Sequence, residues 1–282
     1  MIESSCKEII FSKLNSMTNT EKKIADYVLE HYDQVLNSNI TELGENAKVS
    51  DASIVRFCRS LGYKGYQDFK INAAKDALPR EKHLNPVLEE KDSPEAICKK
   101  IFNSEILVLN RTLACLDMEV IEEIADMIAS AERVVLFGSG GSLLVAQDAQ
   151  HKLMKVGIQV FVHADRDLQL MASSLTGKDD LAIGISHSGS NYSVLKCLKN
   201  AKENGTATAA IVNRGKTPIS KVADLVIHTA SEETMFQSES VSTRIAQLAI
   251  IDSLVTIVAF KNYEKSYNAI QRTRGATSEN KF

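Results

Sequence analysis

The sequence has few of the features that mark a secreted, metal-binding or membrane protein. Its five cysteines are scattered and never spaced as Cys-x-x-Cys, so they favour neither a disulfide framework nor a zinc site. The N-terminus, MIESSCKEII, lacks the charged-then-apolar layout of a signal peptide. The longest apolar run starts at Leu248, is interrupted by Asp252 and Ser253, and is shorter than a bilayer span. We therefore expect a cytoplasmic protein with no bound metal and no membrane partner.

An excess of positive charge is also missing. The net charge is −3, so any surface that binds nucleic acid must be a local patch. There is no internal repeat of solenoid length and no low-complexity segment. The length of 282 residues is enough for two domains with proper cores.

The periodicity and composition of the sequence change at two places. Residues 1–78 carry only helical periodicity, and residues 79–94 hold three of the four prolines together with many charges, which is typical of a linker. We place the second domain at 95–265 and expect the polar tail, 266–282, to be frayed.

Five short apolar runs in the second domain alternate with helical patterns. This alternation predicts a five-stranded parallel sheet with helices on both faces, and hence an α/β fold after an all-helical N-terminal domain. Helices are expected near 95–116 and 120–129 before the sheet and at 239–260 after it. The predicted strands are RVVLF, IQVFV, LAIGI, TAAIV and DLVIH.

Glycine and serine cluster after two of these strands. GSGGS follows RVVLF, and SHSGSN follows LAIGI. Ligands of parallel sheets bind at the carboxyl ends of the strands, where free N–H groups at helix N-termini favour phosphate. The glycines that would expose those N–H groups are Gly140, Gly141 and Gly189. Two such loops on one sheet favour an anion site over ordinary tight turns.

Three other chemistries use loops of a similar composition. A dinucleotide fingerprint needs a third glycine where Leu143 stands, which argues against a nucleotide cofactor, and the Gly-Lys-Ser/Thr of a P-loop is absent. A nucleophile elbow needs glycine where Ser188 stands. A Ser/His nucleophile would also need a carboxylate to orient His187.

The segment from Arg133 to about Phe260 resembles an SIS domain, the sugar-isomerase module that binds phosphosugars. The matching residues are Gly-Ser-Gly-Gly-Ser at 138–142, Ala146, Lys152, Gly157 and Ser-His-Ser-Gly at 186–189.

The resemblance implies that Ser142, Ser186 and Ser188 hold a phosphate as hydrogen-bond donors and that His187 is a loop residue. Asn191 stands where the family usually has threonine, and we include it in the expected phosphate site. No cofactor is expected.

Glu239 is the candidate for contacting the sugar. SIS isomerases use a glutamate or histidine near C1–C2 for proton transfer, and Glu239 stands at the predicted start of the last helix. The alternative is a first-turn carboxylate placed for the helix dipole, and we favour it. His151 and His163 are expected in structural or surface positions, and the Lys152 stem is expected to pack on its helix.

A helix-turn-helix candidate lies in the first domain. ITELGENA, residues 40–47, predicts a short helix, and Lys48 and Val49 make the turn. Ser50 is a good N-cap for a second helix, 51–61, that Gly62 ends. The second helix buries a stripe at positions i, i+3, i+4 and i+7, formed by Ile54, Phe57, Cys58 and Leu61.

The opposite face of the second helix is polar and basic. It carries Ser53, Arg56 and Arg59, and with Ser50 and Lys64 they form our predicted DNA-binding set. Residues 56–75 contain five cations and one carboxylate, although residues 1–80 are neutral, with 11 of each sign. An ordinary solvated helix in a small bundle is the alternative.

The first domain resembles the N-terminal domain of RpiR-family transcriptional regulators, which join this motif to a C-terminal SIS domain in this order. The most specific stretches are Val-Ser, Ile-Val-Arg-Phe-Cys-Arg, Leu-Gly-Tyr and Gly-Tyr-Gln-Asp-Phe-Lys within residues 49–70. Ser53 stands where the family often has threonine.

The resemblance implies a regulator of sugar or amino-sugar metabolism that binds a double-stranded DNA operator as a homodimer or larger oligomer and responds to a phosphosugar. The alternatives are a phosphosugar isomerase with a helical N-terminal module and, less favoured, a nucleotide-binding oxidoreductase.

Overall fold

The computed structural model describes residues 6–14, 17–77, 89, 91–231 and 241–278. The chain divides into two compact units, and the main boundary falls between Phe102 and Asn103. The predicted linker, 79–94, lies mostly outside the described residues, so the predicted domain boundaries stay predictions.

The first unit is helical, as predicted. Two of its helices begin with reciprocal capping boxes, Thr18 with Glu21 and Asn39 with Glu42, which fix where the helices start. One buried cluster, including Ile24 and Phe57, holds the bundle together. Its helices are α1 (Cys6–Lys13), α2 (Asn19–Glu30), α3 (Tyr32–Asn37), α4 (Ile40–Ala47), α5 (Asp51–Leu61) and α6 (Tyr66–Ala77).

The second unit is an α/β domain built on one parallel sheet of five strands in the order β2-β1-β3-β4-β5, which confirms the predicted fold class. Helix α7 (Pro94–Cys115) leads into it. The remaining elements are α8 (Met118–Ser130), β1 (Val134–Phe137), α9 (Gly141–Lys155), β2 (Val160–Val162), α10 (Arg166–Ser174), β3 (Leu181–Ser186), α11 (Tyr192–Glu203), β4 (Ala207–Asn213), β5 (Leu225–Thr229), α12 (Val241–Lys261) and α13 (Tyr263–Ser278).

Both faces of the sheet are covered, which is why its strands are continuous apolar runs. Val134 and Leu136 of β1 point into a core shared with α8, α9 and α12. Val135 and Phe137 point the other way, into a core shared with α10 and α11. Successive side chains of β1 therefore pack alternately into two separate cores, one on each face of the sheet.

Helix α12 occupies Val241–Lys261, close to the predicted 239–260. Among the described residues, Thr243–Lys261 is by length and composition the segment that could cross a membrane, so the expectation of an apolar run shorter than a bilayer span was wrong. In this fold the helix packs on the sheet through buried residues such as Ile250 and Leu254. Asp252, which interrupts the run, pairs with Lys152 on α9.

The expectation of a frayed tail was wrong. Residues up to Ser278 form α13, which packs beside α9. Ser266 is buried, Ile270 packs against the core, and Ala269 lies close to Gly157. These residues form a narrow stripe on a helix that is otherwise mostly polar and exposed, which is why the composition predicted a frayed tail.

Candidate functional site

The two serine-rich loops lie at the same edge of the sheet. Strands β1 and β3 are parallel neighbours, and Phe137 pairs with Gly184. The loop that starts at Gly138 and the loop that starts at Ser186 therefore leave adjacent strands at their carboxyl ends. This is the edge where parallel sheets bind ligands.

The first loop turns tightly into α9. A Cβ at Gly138 would lie 2.8 Å from the Ser142 carbonyl oxygen, and Gly140 has φ 56°, so both positions favour glycine. Gly140 caps α9 without a side chain, Gly141 is the first helical residue, and Ser142 is half-buried. The first turn of α9 also lacks an acidic residue, so its positive end carries no internal counter-charge.

The second loop surrounds a buried hydroxyl. Ser186 ends β3 and is only 4% exposed, whereas Ser188 is half-buried and its Oγ accepts a hydrogen bond from the Ser190 N–H at 3.3 Å. Gly189 has φ 59°, again a glycine conformation. Asn191 caps α11, because its Oδ1 accepts from the Val194 N–H at 3.1 Å. Helix α11, like α9, has no acidic residue in its first turn.

A polar network that the sequence did not reveal extends this edge across β4 and β5. The Asn213 N–H donates to the His187 carbonyl at 3.0 Å, and its side chain donates to the Ser231 carbonyl at 2.8 Å. The hydroxyls of Ser231 and Thr243 lie 2.6 Å apart. Asn213 directly follows the predicted strand TAAIV. Its position at the carboxyl end of a strand is the feature of the sequence that could have identified it as a member of this edge.

The remaining candidates fall elsewhere. Glu239 lies outside the described residues. His151 is exposed on α9, and His163 is half-buried just after β2. Lys152 forms an ion pair with Asp148, 2.7 Å away, in addition to Asp252. Among the described ranges, no group of histidines, cysteines and carboxylates could hold a metal ion.

Helices α4 and α5 form the predicted helix-turn-helix with the predicted bounds. Lys48 adopts a left-handed conformation with φ 54°, and the Val49 N–H donates to the Gly44 carbonyl at 2.8 Å. A Cβ on Gly44 would lie 2.9 Å from the Val49 carbonyl oxygen, so the turn packs directly on a glycine. Ser50 caps α5 by accepting from the Ser53 N–H at 3.3 Å.

The exposed face of α5 carries the predicted DNA-binding side chains, while its apolar stripe is buried. The Ser53 hydroxyl lies 2.9 Å from that of Ser50 and accepts a hydrogen bond from the Arg56 guanidinium at 3.0 Å. Arg56, Arg59 and Lys64 are all exposed. The arrangement presents a short basic row on one helix face, which suits a duplex groove.

Comparison with known proteins assigns both parts of the chain. The helix-turn-helix domain of the rpiR family matches residues 5–79, and the SIS domain matches residues 127–257. An uncharacterized HTH-type transcriptional regulator of Caldanaerobacter subterraneus is 34% identical over 271 residues, covering 96% of this chain and 95% of that protein. Another, from Haemophilus influenzae, is 32% identical over 276 residues, with 94% and 96% covered.

Solved structures share the fold. The Vibrio vulnificus NanR protein complexed with ManNAc-6P superposes with a TM-score of 0.80 at 24% identity, covering 98% of this chain and 99% of that chain. The sugar isomerase domain of an RpiR transcription factor from Sphaerobacter thermophilus gives a TM-score of 0.57 at 24% identity, covering 63% and 97%.

The relatives that match along almost the whole chain are described as transcriptional regulators, which confirms the predicted regulator over the isomerase alternative. With a helix-turn-helix domain of the rpiR type followed by an SIS domain, this chain belongs to the RpiR family of transcriptional regulators.

Proposed function

We propose that this regulator binds a phosphosugar at the carboxyl edge of its sheet and that the ligand changes its affinity for a DNA operator. The observation that carries the proposal is the pair of adjacent loops at the ends of β1 and β3. They bring Ser142, Ser186 and Ser188 to one edge beside two helix N-termini without first-turn carboxylates. A phosphate would receive hydroxyl and backbone hydrogen bonds there.

The sugar is expected to be a hexose or amino-hexose phosphate. The NanR structure, which shares this fold, holds ManNAc-6P, and this compound is therefore the first probe to use. Gly140, Gly141 and Gly189 would admit the phosphate to the backbone N–H groups. Asn191 would act mainly through the α11 cap that it forms.

DNA binding is assigned to the exposed face of α5. Arg56 and Arg59 would reach the groove, while Ser50, Ser53 and Lys64 would contact the backbone of the duplex. Such a protein works in the cytoplasm, where its operator is. Two copies would read a palindrome, because paired recognition helices meet successive major grooves about 34 Å apart.

Self-association is supported by apolar side chains that the single chain leaves exposed. Leu168 and Met171 on α10 and its C-cap residue Leu175 follow the spacing i, i+3 and i+7 and are 48%, 60% and 73% exposed. An apolar stripe of this kind on one helix is typical of an interface. We propose that a second copy of the chain covers it.

The test is a footprint of the purified protein on the intergenic DNA that flanks its gene, at physiological salt, with random DNA as competitor. We expect a protected palindrome whose affinity changes when ManNAc-6P or another hexose phosphate is added. Protection no better than on random DNA, with and without sugar phosphates, would contradict the operator assignment. A coupled isomerase assay on the same samples should show no turnover.

A further inference from the structure

A buried glutamine holds the first anion loop. Gln169, in the first turn of α10, is only 2% exposed. Its Oε1 accepts a hydrogen bond from the Gly138 N–H at 3.2 Å, and its Nε2 donates to the Gly138 carbonyl at 3.0 Å. One side-chain amide therefore satisfies both backbone groups of the residue at which the chain leaves the sheet.

Gly138 needs such a partner because the sheet no longer supplies one. The β1–β2 register ends at Leu136 and the β1–β3 register ends at Phe137. Buried backbone groups that lack a partner are costly, and a primary amide carries the donor and the acceptor that a neighbouring strand would provide. Gln169 thus continues the ladder of β1 by one residue.

Helix α10, which carries Gln169, is fixed at both of its ends. At the N-terminal end, Asp165 caps the helix by accepting hydrogen bonds from the Asp167 and Leu168 N–H groups, at 3.0 and 2.9 Å. The opposite end of α10 is tied to α11, because Asn200 Nδ2 donates to the hydroxyl of the fully buried Ser173 at 3.2 Å.

Helix α10 therefore links the first loop to the helix that follows the second loop. Gln169 binds Gly138, the first residue of the loop 138–142, and Ser173 near the other end of α10 bonds Asn200 in the last turn of α11. A phosphate held by both loops requires a fixed separation between them, since donors must lie within about 0.3 Å of their preferred distances. Helix α10, bonded to the first loop and to α11, would set that separation.

We infer that Gln169 is a positioning residue of the effector site, which fixes the loop 138–142 relative to the second loop without touching the ligand. The inference rests on the proposed phosphosugar site. Gln169 should affect the binding of the phosphate group and not of the sugar, because Gly138 leads only into the proposed phosphate-binding turn.

The test compares Gln169→Met with Gln150→Met in the whole 282-residue chain. Both replacements keep the side-chain length and remove hydrogen bonds to backbone. Gln150 lies on α9 and donates to the Val160 carbonyl at 3.0 Å, away from the loop. Calorimetric titration with ManNAc-6P and with inorganic phosphate, at a temperature far below unfolding, gives the affinities.

Gln169→Met should weaken binding of both probes by one common factor, about tenfold, as expected for two lost hydrogen bonds of modest net worth. Gln150→Met should lower the melting temperature but change either affinity less than twofold. If Gln169 has only a structural role, Gln169→Met should lower the melting temperature as Gln150→Met does and leave the affinities for both probes unchanged. That result would overturn the inference.

Two further outcomes separate the inference from the proposed function. If the wild-type protein binds neither probe, the phosphate site itself is wrong and the inference falls with it. If Gln169→Met does not fold, Gln169→Glu takes its place. A carboxylate can still accept from the Gly138 N–H but cannot donate to the carbonyl, and it should weaken both probes; wild-type affinity in this variant would refute the role.

Discussion

The Oδ1 atom of Asn191 accepts a hydrogen bond from the Val194 N–H at 3.1 Å, so the residue that ends the second serine-rich loop is the N-cap of α11. A cap satisfies an N–H group that has no intrahelical partner and fixes the start of the helix. A threonine hydroxyl, which the resemblance to SIS domains leads one to expect here, can accept the same bond. Asparagine and threonine can therefore fill the same structural role.

We predict that Asn191→Ala lowers the free energy of unfolding by about 1 kcal/mol, the usual cost of losing a polar cap, whereas Asn191→Thr changes it by less than half as much. Denaturant unfolding followed by circular dichroism measures both. If Asn191→Ala is as stable as the wild type, the cap contributes nothing to the fold.

Replacing the two serines of the second loop should separate sensing from DNA binding. The double variant Ser186→Ala, Ser188→Ala should lose the response to hexose phosphates and keep its operator affinity, because it removes only hydroxyl donors at the sheet edge. Ser253→Ala, an exposed hydroxyl on α12, is the matched control. A double variant that responds at wild-type effector concentrations would show that the phosphate binds elsewhere.

The arginines of α5 should control operator affinity. Arg56→Ala and Arg59→Ala should each weaken binding by about 1–3 kcal/mol if they contact base edges, or lower the salt slope of log K by roughly 0.9 if they contact phosphates. Effector affinity should not change in either variant. Lys199→Ala removes one exposed charge from the other unit and serves as control. Unchanged DNA affinity in both arginine variants would exclude α5 as the recognition helix.

Acid should weaken the second unit through Asp180. Burial alone would raise the pKa of this carboxyl group, but hydrogen bonds from Arg133, at 2.6 and 2.9 Å, and from the Gly177 N–H hold the pKa below its ordinary value of 3.8. A lowered folded-state pKa stabilises the fold above pH 3.8, and this stabilisation is lost as the pH falls through the folded-state pKa.

Asp180→Asn should therefore lower the unfolding free energy at pH 7 by about 1–2 kcal/mol and flatten its decline below pH 4. Urea unfolding at several pH values gives the profile. The exposed neighbour Asp179→Asn should keep the wild-type profile. An equally steep acid decline in the Asp180 variant would show that other carboxylates govern it.

The sequence alone was sufficient for the elements whose signals are local. The bounds of α4 and α5 followed from Ser50, Gly62 and the apolar stripe, because caps and helical periodicity act within a few residues. The sequence predicted all five strands as short apolar runs. The central strands β1 and β3 are buried along their whole length and so need no polar positions. The serine loops followed from glycine and hydroxyl content.

The failures involve partners that are distant along the chain. Helix α13 was expected to fray because part of its stabilising contacts are with α9, about a hundred residues earlier, in addition to those with the preceding α12. The roles of Asn213 and Gln169 were not predicted, because no local sequence pattern marks an isolated Asn or Gln as important. Their roles arise from hydrogen bonds to residues such as His187 and Gly138.

What the sequence by itself determined is the set of modules: a helix-turn-helix, a parallel sheet and two loops rich in glycine and serine, each encoded by neighbours in the chain. The tertiary structure decided which of these parts meet. The strand order places β1 beside β3, so two loops that are almost fifty residues apart share one edge. Strand order depends on long-range packing of whole strands and helices, and no short stretch of residues contains it.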